Sequence, residues 1–486
     1  MPYSKAPVTS TYDTKRISFV ANPQQRSGLL PNKDLRLVNM MTENISSPLS
    51  DAKKFFVKSR PGLNTEYTTT TGASRGIYYW VYSGVDYIFA VVDSGVYING
   101  VLKQTLTTST GEVGFTEFVN SSGVVSLVLV DGVKGYVFYN GTAAPTLITD
   151  ADFPTPHCPN PIFLDGYLFL AKKDSQDVYN SNLDDPTLWT AGDFLSAEMY
   201  PDKIIALSKN NNYIYAIGSN SIEYMYDIAN AVGSPLGRQA SAVQQFGCAA
   251  PATVVQTEKE VILVGETGNG GHTVWTIDGF KENEIGIPMV KSALLAEGAA
   301  LANATAHCIR VSGQKLYCIN LTSRTLVYSF DTKMWSEWSS GPTGGNAFIA
   351  NQGHDGPNGK AFMLDKTNGK VYSISENYFT DAGTAFECQL VTSKMDFDII
   401  NRKFMSRLSI IGDVPDSTDT DNSITVDWTD DDYNTWSAPR TLSFNYDFPV
   451  LKQLGNFRRR AFRFKYALPH LLRLEGIEVD INKGSQ

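Results

Sequence analysis

The five histidines, His157, His272, His307, His354 and His470, are the natural candidates to bind a metal or move a proton, and none sits at metal-ligand spacing from another. His307 and Cys308 are adjacent, so a strand would send them to opposite faces. His354-Asp-Gly reads as a turn. The cysteines, Cys158, Cys248, Cys308, Cys318 and Cys388, are odd in number and form no Cys-x-x-Cys. They read as buried, reduced thiols of a chain made in a reducing compartment. There is no Gly-x-Ser-x-Gly, no P-loop and no dinucleotide fingerprint. Gly268-Asn-Gly-Gly271 lacks the Lys-Ser/Thr and helix of a phosphate loop and reads as a hairpin loop. Residues 413–421 (DVPDSTDTD) offer carboxylates to calcium, without the spacing, turn glycine or terminal Glu of a known loop. No cofactor, metal or catalytic set is expected.

One segment does resemble a known element. Residues 429–436 (TDDDYNTW) are similar to the Asp-box of sialidase-like propellers, with Tyr433 in place of the usual glycine. Its physical task is a hairpin: the Asp accepts turn N–H groups and the Trp packs beneath. A sialidase also needs an arginine trio for a carboxylate, and Arg238, Arg310 and Arg324 are scattered. Trp335 and Trp338 suit filling between blades, or stacking on a sugar. A propeller glycan-binding protein, or a glycoside hydrolase acting on host surface polysaccharide, is therefore the alternative reading.

The elements that would carry these residues are strands. Aromatic and branched runs recur at 87–97, 127–139, 162–172, 204–226, 254–277, 309–338 and 361–374, usually after a Gly, Asp or Asn turn. Starts roughly 35–55 residues apart match the period of four-stranded propeller blades. Of 486 residues, 12% are aromatic and 39 are glycine, a turn-rich all-β composition. Only 291–304 (KSALLAEGAALANA) reads as helix. Residues 227–251 are polar and irregular and read as a loop across one face. The predicted organisation is an N-terminal extended segment at 1–75, partly joining the C-terminal domain or the first blade, a propeller of about six to seven blades at 76–385, and an antiparallel β-sandwich at 386–486.

In that last stretch Ile424, Val426 and Trp428 alternate, as do Leu442, Phe444 and Tyr446, and Phe462, Phe464 and Tyr466. Leu472 and Leu474 fall out of phase with Ile477, Val479 and Ile481, which predicts a β-bulge at Glu475-Gly476. Charge separates along it. Eight aspartates, with Asp430, Asp431 and Asp432 at the end, precede a basic run holding Arg458, Arg459, Arg460 and Arg463. If acid and base sat on opposite edges, copies would meet head to tail and close a ring. These seven residues are the candidate ring or adaptor contacts.

The chain's net charge of −9 argues against a general DNA-binding protein but not against a wall that DNA slides past. No apolar core near the start predicts a signal peptide, and no run approaches the length of a membrane span.

Three stretches resemble the packaged-DNA stabilisation proteins of short-tailed phages, also called tail hub or nozzle proteins. They are Leu37-Val-Asn-Met-Met41 with Ser59-Arg-Pro-Gly-Leu63; Gly218-Ser-Asn-Ser-Ile222-Glu223-Tyr224 leading to Gln245-Phe-Gly247; and Leu454-Gly455 through Arg460 to Leu474-Glu-Gly476-Ile477. They occur in the family's order across most of the chain. The resemblance implies a non-enzymatic podovirus virion protein, assembled in the host bacterial cytoplasm. It implies a homo-hexameric ring below the portal adaptor that retains packaged double-stranded DNA and forms its ejection conduit. A tailspike or tail fibre and a needle or plug protein would be its further partners, with no membrane insertion by this chain.

Overall fold

A computed structural model describes residues 13–19, 35–45, 54–230, 232–267, 270–398, 400–413, 422–445 and 449–484. It divides into two compact units. Unit 2 comprises 63–326 and 347–375; unit 1 comprises 1–62, 327–346 and 376–486.

Unit 2 is the propeller. Its first blade is Ser74–Tyr82, Val85–Val92, Gly95–Ile98 and Val101–Thr105, an antiparallel meander. The second to fourth begin at Gly114, Ile162 and Ile204 and repeat that order. The inner strand of the fifth is broken into Phe246–Cys248 and Val255–Gln256. In the sixth, Ala350–Asp355, Ala361–Asp365 and Lys370–Ser375 are joined by Gly62–Thr68, so the two ends of the propeller segment close one blade together. The hairpin Thr305–Val311/Gln314–Asn320 fills a further radial position between the fifth and sixth blades. The division between the units falls within the next strand, Thr325–Ser329.

The local reasons are plain. Middle strands are covered on both faces by neighbouring blades, so Val125–Val130 is nearly all apolar and buried. Between the first two blades, Trp80, Phe89, Val91, Leu127, Leu129 and Phe138 share one core. The turns that join strands are two-residue hairpins with left-handed φ. Asn99-Gly100 (φ 47° and 78°) and Asp165-Gly166 (49° and 85°) are the residue pairs such turns favour. The helix expected at 291–304 is Pro288–Glu297 followed by a 3₁₀ turn, Gly298–Asn303, and it packs on the fifth blade through Val290 and Leu294.

The reading of 227–251 as a loop is corrected. Leu236–Gln244 is the outermost strand of the fourth blade and Phe246–Cys248 begins the fifth. An outermost strand is covered by a neighbour on one edge only, so Gly, Arg, Gln and Ser are tolerated there.

Unit 1 is a β-sandwich. One sheet contains Asp13–Ser18, Met40–Ile45, Lys54–Ser59, Lys403–Gly412, Val450–Lys452, Asn456–Phe457 and Arg473–Lys483. The other contains Met334–Trp338, Arg36–Val38, Cys388–Val391, Ala461–Tyr466, Ser423–Thr429 and Arg440–Ser443. Leu37, Met40, Val57, Leu390, Leu408, Val426, Phe464 and Val479 from both sheets form one core. The bulge at Glu475 is present: Ile411 opposes Gly476 while Gly412 opposes Leu474. Residues 327–346 and 376–385, expected within the propeller, belong to this unit.

Arg60 stitches unit 1's distant segments. It is fully buried and donates to Asn39 Oδ1 at 2.8 Å, to the Ser339 carbonyl at 3.0 Å and to both Asp381 oxygens at 2.9 and 2.7 Å. Its guanidinium lies 3.8 Å from the Phe386 ring centre.

Candidate functional site

Two features could carry function: the channel through unit 2, and the charged residues of unit 1.

The channel is lined from the innermost strands of the blades. Tyr78 comes from the first, Phe115 and Glu117 from the second, Phe163 from the third and Lys209 from the fourth. Gln256 and Glu258, His307 and Lys315, then Gln352 and His354, complete the circle. Its volume is about 640 Å³. An inner strand of seven residues such as Thr305–Val311 rises about 23 Å at 3.3 Å per residue, so with the roughly 1.4 Å radius of water added on each side the mean bore is about 9 Å. The major groove of duplex DNA alone is about 12 Å wide. A duplex does not fit.

The polar groups in and beside the channel are tied to one another. Tyr78 donates to Glu117 at 3.2 Å and its ring lies 4.5 Å from that of His354. Gln352 donates to Glu112 at 2.8 Å, and Lys209 donates to the Phe163 carbonyl at 2.7 Å. Burial pushes the Glu112 carboxyl up to about 7 against that hydrogen bond, and pushes His307 down to about 4. Lys315 and Arg310 both pair with Glu258, and the Lys315 hydrogen bond foremost holds that carboxyl at about 2. Among the described residues no group of three or more His, Cys, Asp or Glu gathers as metal ligands. Cys158, Cys248, Cys318 and Cys388 are buried free thiols and Cys308 is half-buried.

The charged residues singled out in the sequence divide by direction. Arg458 and Arg459 are exposed, with no ion pair to them among the described residues. Arg460 points inward. It donates to both oxygens of Asp430 at 2.8 and 2.7 Å and to the Leu454 carbonyl at 2.7 Å. Arg463 donates to Asp427 Oδ1 at 2.9 Å and lies 4.2 Å from the Trp436 ring centre. Asp432 pairs with Lys394. The acidic and basic stretches thus meet within one chain, because Ser423–Thr429 and Ala461–Tyr466 are neighbouring strands. Separation in sequence is not separation in space, and of the four candidate arginines Arg458 and Arg459 are the two with no ion pair among the described residues.

Asp431 has the Asp-box task. It accepts from the Thr435 N–H at 2.9 Å, from the Thr429 hydroxyl at 2.8 Å and from the Thr435 hydroxyl. These bonds hold its carboxyl at about 2. The motif closes a hairpin of the sandwich, not a propeller blade. Of the glycine run at 268–271 and the acidic run at 413–421, residues 268, 269 and 414–421 lie outside the described residues, as does Tyr446.

The channel residues had no local signal, since each blade gives only one or two. They become a set once the inner strands are known. Among the described residues no helix is long and apolar enough to cross a membrane.

Comparison with known proteins gives one family. The family model described as the β-propeller of bacteriophage P22 Gp10 matches residues 33–378. No curated protein matches. Among solved structures, the β-propeller domain of Cps50 (Swd1) from Myceliophteria thermophila is 8% identical. It covers 64% of this chain and 99% of that chain, with a TM-score of 0.39. PorZ of the type-IX secretion system of Porphyromonas gingivalis is 10% identical, over 79% of this chain and 46% of that chain, with a TM-score of 0.34. With blades running from residue 62 to 375 and the match spanning nearly the same residues, the chain belongs to the phage stabilisation family described by the P22 Gp10 β-propeller.

Proposed function

We propose that this protein is a virion tail hub, or nozzle, of which six copies form a ring below the portal and its adaptor. The family is one of phage tail β-propeller stabilisation proteins. The observation that carries the finer reading is the bore. A channel of about 9 Å is narrower than the roughly 12 Å major groove alone and passes no duplex, so the DNA conduit would be the lumen enclosed by several copies. The ring would retain packaged DNA, let it out at infection, and offer surfaces to a tailspike or fibre and to a needle or plug.

Charge is consistent with a wall that DNA slides past. Unit 2 holds 27 acidic and 17 basic residues, a net of −10, while unit 1 holds 23 and 24. Acidic walls release no counterions from DNA and so do not hold it by that means. The motif that favoured a glycan reading forms a structural turn.

The test adds the protein to DNA-filled heads that lack tails and follows DNA leakage. Retention of DNA is expected. Continued leakage with no binding to the heads would refute the proposal.

A further inference from the structure

The exposed arginines of unit 1 are not alone. Phe404 in the strand Lys403–Gly412 opposes Asn456 on one side and Asn482 on the other. Lys403 and Phe457 turn into the core, so Phe404 stands on the outer face, 47% exposed. The same register carried one step further sets Arg402 opposite Arg458. Ile400, 85% exposed, lies just beyond. Arg402, Arg458 and Arg459 have no ion pair among the described residues. Farther along that strand the opposite holds: Arg407 is tied to Asp480 and Glu478, each at 2.7 Å. Two exposed apolar side chains therefore sit among three unpaired guanidinium groups.

That composition selects a protein partner. A nucleic acid would use the arginines through its phosphates and leave Ile400 and Phe404 in water. Protein interfaces are enriched in arginine and aromatic residues at their centres. Charge selects an acidic partner, and the chain's net negative charge lies in unit 2, at −10 against +1 for unit 1.

Unit 2 also supplies apolar side chains among its acids. In the first four blades, built from consecutive strands, the first-to-second and third-to-fourth strand turns open on one face of the disc. Val85, Val101 and Leu183 are about half exposed there, beside Asp86, Asp165 and Asp184. Asp184 of the third blade accepts from the Ser121 N–H of the second at 2.7 Å, which fixes those turns side by side.

We propose that the patch of Ile400, Arg402, Phe404, Arg458 and Arg459 docks on this turn face of the propeller of a neighbouring copy. The proposal rests on the ring reading and names its contact. Patch and complement are different surfaces, so the contact is heterologous and repeats head to tail until the ring closes.

The test places a photo-crosslinking residue, p-benzoylphenylalanine, at position 404 of the full chain, which is then assembled onto tail-less heads. A chain-to-chain product is expected, with crosslinked peptides from the turns at 83–86, 99–102 or 183–185. Arg402→Glu with Arg458→Glu should cut that product about tenfold, and Asp86→Lys in the neighbouring copy should restore part of it. Thermal melting of the charge variants should stay at the wild-type value. Crosslinks to another protein, to DNA or within one chain, or no crosslink from a chain that has entered particles, overturn this contact and leave the ring reading standing. Failure of the wild-type chain to bind heads overturns both.

Discussion

Arg460→Ala separates folding from contact within the basic run. The side chain is 1% exposed, and truncation removes three charge-assisted hydrogen bonds, two to Asp430 and one to the Leu454 carbonyl. It also removes the guanidinium lying 4.3 Å from the Phe457 ring centre. Breaking a buried pair at one end costs about 3–5 kcal/mol. Asp430 is 39% exposed, so water recovers part of its loss and the lower end, about 3 kcal/mol, applies. For a unit of this size each kcal/mol moves the melting temperature by about 2–4 °C, giving a fall of about 6–12 °C. Calorimetry on the full chain reads it directly. Arg458→Ala and Arg459→Ala are the internal controls and should stay within about 0.5 kcal/mol of wild type. If Arg460→Ala melts with the wild type, or if all three arginines fall together, the division into inward and outward residues is wrong.

Arg60→Ala leaves Asp381 buried without its cation and should cost about 3–5 kcal/mol, whereas replacing Arg60 and Asp381 together by apolar residues should recover much of that in a denaturant titration. Glu112 holds its proton in the folded chain between its ordinary 4.5 and about 7, so its contribution falls as pH rises through that window and is lost above it. His307 has the opposite sign: between 6.5 and about 4 the unfolded chain takes a proton the folded chain refuses, and stability falls as pH falls. Glu112→Gln should therefore raise stability at pH 8 by about 1–2 kcal/mol and make acidification more damaging; an unchanged pH profile would refute the assignment. Tyr78→Ala with Phe163→Ala widens the propeller channel and should leave DNA retention by tailed particles unchanged, and leakage from those particles would return the conduit to the propeller itself.

The blades were legible in the sequence because their middle strands are buried on both faces and read as continuous apolar runs, as in Val125–Val130. Outer strands were not, since Leu236–Gln244 has an exposed side and a composition like a loop's. The seams were invisible for another reason. Gly62–Thr68 joins a blade some three hundred residues later, and Arg36–Val38 pairs with both Met334–Trp338 and Cys388–Val391, so nothing near them in sequence announces the partner. The bulge at Glu475 was readable because a register slip shows as a phase change in alternation. Among the candidate contacts, a run of like charges gave no direction. Arg460 turns inward because it bridges to Met395 and caps the Asp430 turn, and Arg458 and Arg459 do not.

The sandwich has a consequence for how the protein is made. Its strands Arg36–Val38, Met40–Ile45 and Lys54–Ser59 leave the ribosome long before their core partners, up to Arg473–Lys483. Synthesis at about 5–20 residues per second separates the two by roughly 20–90 s. For that interval Leu37, Met40, Phe55 and Val57 have no sheet to cover them, while the first five blades can already pair with their neighbours. The sixth blade can take up Gly62–Thr68 only after residue 375 emerges. An unpaired apolar strand held open that long is a target for chaperones and for strand exchange between nascent chains. Premature termination between residue 375 and the last strand would leave a chain with a complete disc and an uncovered N-terminal sheet, a species prone to aggregate instead of entering a particle.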